Sequence, residues 1–162
     1  LYVRAATMDA IDHTHKRVDA ALKAGGDAVG AKTIVETLPG MLPLRCCADM
    51  NELFVNNIKT WSPETEIIDA GHFSASTDMG DVSHIMPAIH PFVGGTDGSL
   101  HTKDFTVTDF HAAVITPAKA FACMIIDLLY GEADCAKKIL AANKPLLTKE
   151  EYIAKLDSYF DA

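Results

Sequence analysis

Positive charge is scarce in this chain: 14 Lys and Arg stand against 22 Asp and Glu, for a formal net charge of -8 over 162 residues. No block of Lys or Arg occurs that could follow a phosphate backbone, so nucleic acid is not expected as a partner. Cysteines are few and badly spaced for a framework. Cys46, Cys47, Cys123 and Cys135 include one adjacent pair and no CxxC, which argues against a zinc knuckle and against a secreted disulfide scaffold. Reduced core thiols in a cytoplasmic protein are the expectation. A long uninterrupted apolar run is also missing: the best stretch, Val114 to Tyr130, contains Lys119 and Asp127 and falls short of a comfortable bilayer span. No membrane association is expected. Nor is there an initiator Met, a signal-peptide apolar region or a polar leader ahead of Leu1, and the chain is expected to belong to something longer.

About half of the residues are apolar, enough to bury one sizeable core and part of a smaller unit. The opening Leu1-Tyr2-Val3-Arg4-Ala5 alternates in the manner of a strand. Thr7 then stands where it can cap a helix whose apolar residues Ile11, Val18, Leu22 and Val29 recur at helical spacing, weakened late by Gly25-Gly26. Residues 32–38 are rich in β-branched side chains and close at Pro39-Gly40, which predicts a second strand. Such a β-α-β unit is half of a ferredoxin-like domain, a module often used as a lid or a dimer contact. The pattern changes near Pro39 to Pro43, so the expected division is 1–40 and 41–162.

Beyond that boundary a helix is predicted with Met50, Leu53, Phe54, Ile58 and Trp61 on one side and Asp49 as its candidate cap. A loop-rich stretch follows to Gly80, then a short strand over 88–93 and the turn-forming Gly94-Gly95-Thr96-Asp97-Gly98. Residues 109–130 are apolar nearly all round, which predicts a buried helix that Pro117 either kinks or truly starts. Thr148-Lys149-Glu150-Glu151 is a capping box for a last helix.

Seven histidines are many for this length, and five of them (His72, His84, His90, His101 and His111) lie between positions 72 and 111. Histidine is the commonest metal ligand and the usual general base near neutral pH, although a lone loop histidine is more often merely solvated or hydrogen-bonded. His13, His15 and His111 read as surface or packing residues. The informative segment runs from Gly71 to Pro87, followed by Gly98 to Phe105. Its small hydroxyl residues beside a helix start leave backbone N–H groups free for a carboxylate or oxyanion, with an ordinary capped turn as the bland alternative.

Ser76-Thr77-Asp78-Met79-Gly80-Asp81-Val82-Ser83 and the later Leu100-His101-Thr102-Lys103-Asp104-Phe105 resemble, in order and separation, the metal-dependent amidohydrolase, aminoacylase and carboxypeptidase G superfamily of metallopeptidases. The stretch from Ser76 to Pro91 looks closest to its aminobenzoyl-glutamate and β-alanyl-dipeptide hydrolysing members. The resemblance implies an α/β fold: the C-terminal part of a zinc-peptidase-like catalytic domain, preceded by the end of a ferredoxin-like dimerisation or lid domain. It implies two divalent metal ions, Zn or alternatively Mn, bridged by a carboxylate and a hydroxide, with a Glu as general base. By the same resemblance His101 matches the last metal ligand, Ser76 and Thr77 match substrate contacts, and Asp78 holds their turn. The remaining ligands and the general base belong to a region absent from this sequence, so the chain alone is expected to bind no metal and to be inactive. A catalytic zinc needs about three protein ligands and an open position.

The implied function is hydrolysis of an amide bond in a small N-acyl amino acid or dipeptide by a homo-oligomeric parent enzyme. A non-catalytic dimerisation or interaction module is the alternative. A self-contained metal site from His84, His90, His101 and Asp78 or Asp81 ranks last, because their spacing fits no compact ligand motif.

Overall fold

A computed structural model describes residues 1–69, 71 and 75–160. Of the segment singled out above, His72, Phe73 and Ser74 lie outside the described residues. In chain order the elements are α1 (Met8–Ala28), α2 (Ala48–Trp61), α3 (Met79–Ile85), β1 (Thr96–Asp97), β2 (Thr106–Val107), α4 (Thr116–Ala142) and α5 (Lys149–Asp157), with one π-helical turn at His111–Ile115. The chain divides into two compact units. One comprises Leu1–Arg45, Ala70–Met86 and Pro145–Ala162, and the other Cys46–Asp69 and Pro87–Lys144. The cut expected at residues 39–43 falls inside the first unit.

In the first unit Thr7 caps α1, its hydroxyl accepting the Ala10 N–H, as its position in the sequence predicts. The helix passes through Gly25-Gly26 to Ala28 and buries no residue completely. The two flanking strands are a correction. Among the described residues, 1–5 and 32–38 form no ladder, because β propensity by itself supplies no strand partner. The extended habit survives in the burial pattern: Thr33, Val35, Thr37 and Pro39 are half-buried while Lys32, Ile34, Glu36 and Leu38 are exposed, the period of two of an extended chain.

Short α3 organises this unit. Asp81 Oδ1 accepts the Leu42 N–H at 3.1 Å, Ser83 Oγ accepts the Arg45 N–H at 3.0 Å, and the His84 carbonyl accepts the Leu146 and Leu147 N–H groups at 2.9 and 3.0 Å. The approach is close enough that a Cβ on Gly80 would lie 1.9 Å from the Leu42 carbonyl oxygen. On α5 the capping box forms as predicted, with Thr148 and Glu151 exchanging side-chain and backbone bonds. Lys155 Nζ reaches Asp12 Oδ2 of α1 at 2.8 Å, and the Tyr159 hydroxyl donates to Asp12 Oδ1 at 3.3 Å.

In the second unit Phe54 and Ile58 of α2 pack with Ile89, Ala120 and Met124, and Met50, Leu53 and Trp61 lie against them. The residues predicted for one side of this helix therefore do face its core. The N-cap is Cys47 rather than Asp49, and its side chain makes no capping bond. Its own N–H instead donates to the Ala88 carbonyl at 2.8 Å. Residues 88–93 are not a strand; Ala88 and Ile89 are buried without a ladder. The small sheet forms elsewhere: Thr96 pairs with Val107 and Asp97 with Thr106, antiparallel.

Pro117 sits in the first turn of α4, directly after the π-helical turn, inside a helical run that begins at His111. Two expectations for this region fail. Only Ala120, Met124 and Ile139 of α4 are buried, while Ile125, Ile126, Leu129 and Tyr130 are more than half exposed, so apolarity all round does not bring burial all round. The helical run His111–Ala142 also exceeds the apolar window read from sequence and is long and apolar enough to cross a membrane by length and composition alone, a property shared with core helices. It is interrupted where Gly131, Glu132 and Ala133 take φ of 60°, 63° and 60°. For Glu132 and Ala133 that left-handed conformation costs about 1–2 kcal/mol each.

Two outcomes follow from these contacts. Gly80→Ala should lower the unfolding free energy in urea by about 2–4 kcal/mol, despite the better helix propensity of Ala, because the clash is with backbone and separates the Leu42 and Arg45 hydrogen bonds from α3. Acid should loosen α5 first. The Thr148 backbone and hydroxyl bonds hold the Glu151 carboxyl below its ordinary pKa, so their contribution is present above the ordinary glutamate range and is lost as pH falls through the lowered folded value. Amide exchange at 149–157 against pH should show fraying on the acid side that is absent at neutral pH, and absent from the pH response of Glu151→Gln.

Candidate functional site

The hairpin carrying His101 is built by glycine. Gly95 and Gly98 have φ of 94° and 82°, which L side chains rarely adopt. A Cβ on Gly98 would also lie 2.4 Å from the Asp104 carbonyl oxygen, so the two arms meet backbone to backbone. Within the turn, Thr102 donates from both its N–H and its hydroxyl to the Ser99 carbonyl, at 3.2 and 2.8 Å. At its tip His101 is exposed and has a φ of 64°. Its imidazole makes no hydrogen bond or ion pair among the described residues. A non-glycine residue held at positive φ persists only where its surroundings over-determine it, a condition that clusters at functional sites.

Ser76, Thr77 and Asp78 belong to the other compact unit and lead into α3. Asp78 caps that helix, its Oδ1 accepting the Met79 N–H at 3.1 Å. The Thr77 hydroxyl donates to Asp78 Oδ1 at 3.1 Å and accepts a longer bond from Met79 N–H at 3.4 Å. Thr77 is thus spent on the cap, as the bland reading had it. Ser76 is exposed and has no hydrogen-bond partner among the described residues, which leaves its hydroxyl available.

His84, considered for a self-contained metal site, is buried, with Nδ1 2.9 Å from the Gly80 carbonyl oxygen. A carbonyl only accepts, so Nδ1 carries the proton. The same oxygen accepts the Ser83 hydroxyl at 2.6 Å, and both side chains serve the α3 junction. That structural role of Ser83 and His84 was missed from sequence; the signal for it was a small residue, Gly80, three and four positions before two polar ones. His90 is half-buried, its ring 5.2 Å from that of Phe92. Among the described residues no three of His, Cys, Asp and Glu come together as a metal-holding group. A two-metal centre needs about three protein ligands per ion.

These features belong to a mostly helical chain with one small two-stranded sheet, a histidine-tipped hairpin and a Ser-Thr-Asp cap. No protein-family model and no solved structure matches it. A stretch of 65 residues is 38% identical to the Xaa-Arg dipeptidase of Mus musculus, covering 37% of this chain and 15% of that enzyme. The chain thus carries a partial likeness to a dipeptidase and spans only a small part of its length.

If His101 is kept for chemistry and not for stability, His101→Gly should leave the fold intact and raise the unfolding free energy by up to about 1 kcal/mol, since glycine accepts positive φ freely. His101→Val should lower it by about 1 kcal/mol or more. Destabilisation by the glycine variant in urea titration would assign the side chain a packing role instead.

Proposed function

We propose that this chain is part of a metal-dependent amide hydrolase acting on a small N-acyl amino acid or dipeptide, with a cationic C-terminal residue such as arginine among the substrates to test first. The observation that carries the reading is His101: an exposed imidazole without a partner among the described residues, on backbone held at positive φ. The partial identity to a dipeptidase supports the reaction class, and an excess of negative charge over the chain favours encounter with cationic substrates.

In this reading His101 is one ligand of a divalent metal whose other ligands lie in a longer parent, and the fold class is the C-terminal part of a zinc-peptidase-like domain preceded by the end of a lid domain. Ser76 offers a free hydroxyl to substrate. Thr77 contributes less directly, because its hydroxyl already serves Asp78 and Met79. Homo-oligomerisation and a cytoplasmic location belong to the same proposal.

The test compares the 162-residue chain with a longer parent, each with and without His101→Ala, by hydrolysis of Xaa-Arg dipeptides and acyl-amino acids and by bound zinc and manganese. The chain alone should show no turnover. In the parent, His101→Ala should reduce metal content and turnover together, by roughly 100-fold or more, beyond what loss of an outer-shell partner produces. Unchanged turnover in that variant removes His101 from the mechanism, and robust turnover by the chain alone overturns the shared-site reading.

A further inference from the structure

Glu132 and Ala133 are good helix formers, yet with Gly131 they sit in the left-handed region in the middle of α4. Their local preference is to continue the helix. Something outside the segment must hold the kink, and the contacts of the two halves show what does. Before the kink, Asp127 Oδ2 accepts a hydrogen bond from Asn57 Nδ2 at 2.8 Å. After it, Asn143 Nδ2 donates to Asp49 Oδ2 at 2.7 Å, and Ile139 is buried. Both partners, Asn57 and Asp49, lie on α2.

The spacings do not match a straight helix. Asp49 and Asn57 are eight residues apart on α2, about 12 Å of rise, while Asp127 and Asn143, sixteen residues apart, would be separated by about 24 Å on an unbroken α4. Helices packed side by side stand 8–10 Å apart, so the reach of an Asn–Asp pair is spent across the gap and little is left along it. An unbroken α4 can keep one of the two bonds, and the other partner then lies about 12 Å away. Kinked with both bonds, or continuous with one, are mutually exclusive arrangements of the same residues.

We infer that Tyr130–Ala133 is a strained hinge, and that α4 exchanges between the kinked state clamped at both ends of α2 and a continuous helix in which Asn143 leaves Asp49. Straightening relieves the left-handed Glu132 and Ala133, and it carries Ile139 out of its packing. The two terms oppose each other, which is the condition for a bistable element. Gly131 is the natural pivot, since it alone adopts either sign of φ without strain and meets nothing within 4 Å. This inference stands on the second compact unit alone and does not depend on the proposed hydrolase activity.

Backbone NMR of the chain tests it, because Cα shifts and the intraresidue amide–Hα contact at Glu132 and Ala133 report the sign of φ, and relaxation dispersion reports exchange on the microsecond-to-millisecond scale. The expected result is a major positive-φ state with dispersion across 130–143 and at Asp49. Asn143→Ala should raise the helical population roughly fivefold, the factor one hydrogen bond is worth. Gly131→Ala should act in the same direction, and Glu132→Gly in the opposite one. All three positions are at the surface or partly exposed, so the variants should fold. A single positive-φ state without dispersion in the wild type and in both alanine variants overturns the exchange, and helical shifts as the ground state of the wild type overturn the clamp.

Discussion

The contact on which the first unit depends is the meeting of α3 with the chain at Leu42, where the absence of a Cβ on Gly80 lets a helix and an extended segment touch backbone to backbone. At that distance Asp81 and Ser83 each accept a backbone N–H from the neighbouring segment, and the His84 carbonyl accepts two more from residues 146 and 147. Three stretches of chain that are far apart in sequence are drawn together by a helix of seven residues. Short helices are marginal by themselves, so α3 and the segments it binds stabilise one another and neither is independent of the other.

The second unit is held differently. Its core is a conventional apolar contact, Phe54 and Ile58 against Ile89, Ala120 and Met124, with the Phe54 and Phe121 rings 5.5 Å apart. Polar bonds at the two ends of α2 then decide the shape of α4. In the kinked form both Asn–Asp pairs are made and Ile139 is buried, so hydrogen bonding and burial act in the same direction on that helix.

The candidate residues are divided between the two units. Ser76, Thr77 and Asp78 stand at the start of α3, where capping consumes two of the three. His101 stands on a hairpin whose two glycines place it at positive φ in solvent. One motif is therefore mainly structural and the other has no structural task in view, although in sequence they looked like parts of one site.

By itself the sequence determined what depends on neighbours in the chain: the Thr7 and Thr148 caps and the place of Pro117 in the first turn of α4. These rest on hydrogen bonds and steric limits spanning four residues or fewer, so composition and spacing reveal them. Only the tertiary structure decided whether residues 1–5 and 32–38 pair as strands, which face of α4 is covered, where the small sheet forms and where α4 bends. Each of those outcomes requires a partner distant in the chain, such as Val107 for Thr96 or Asp49 for Asn143. Local preference carries no information about where such a partner will be.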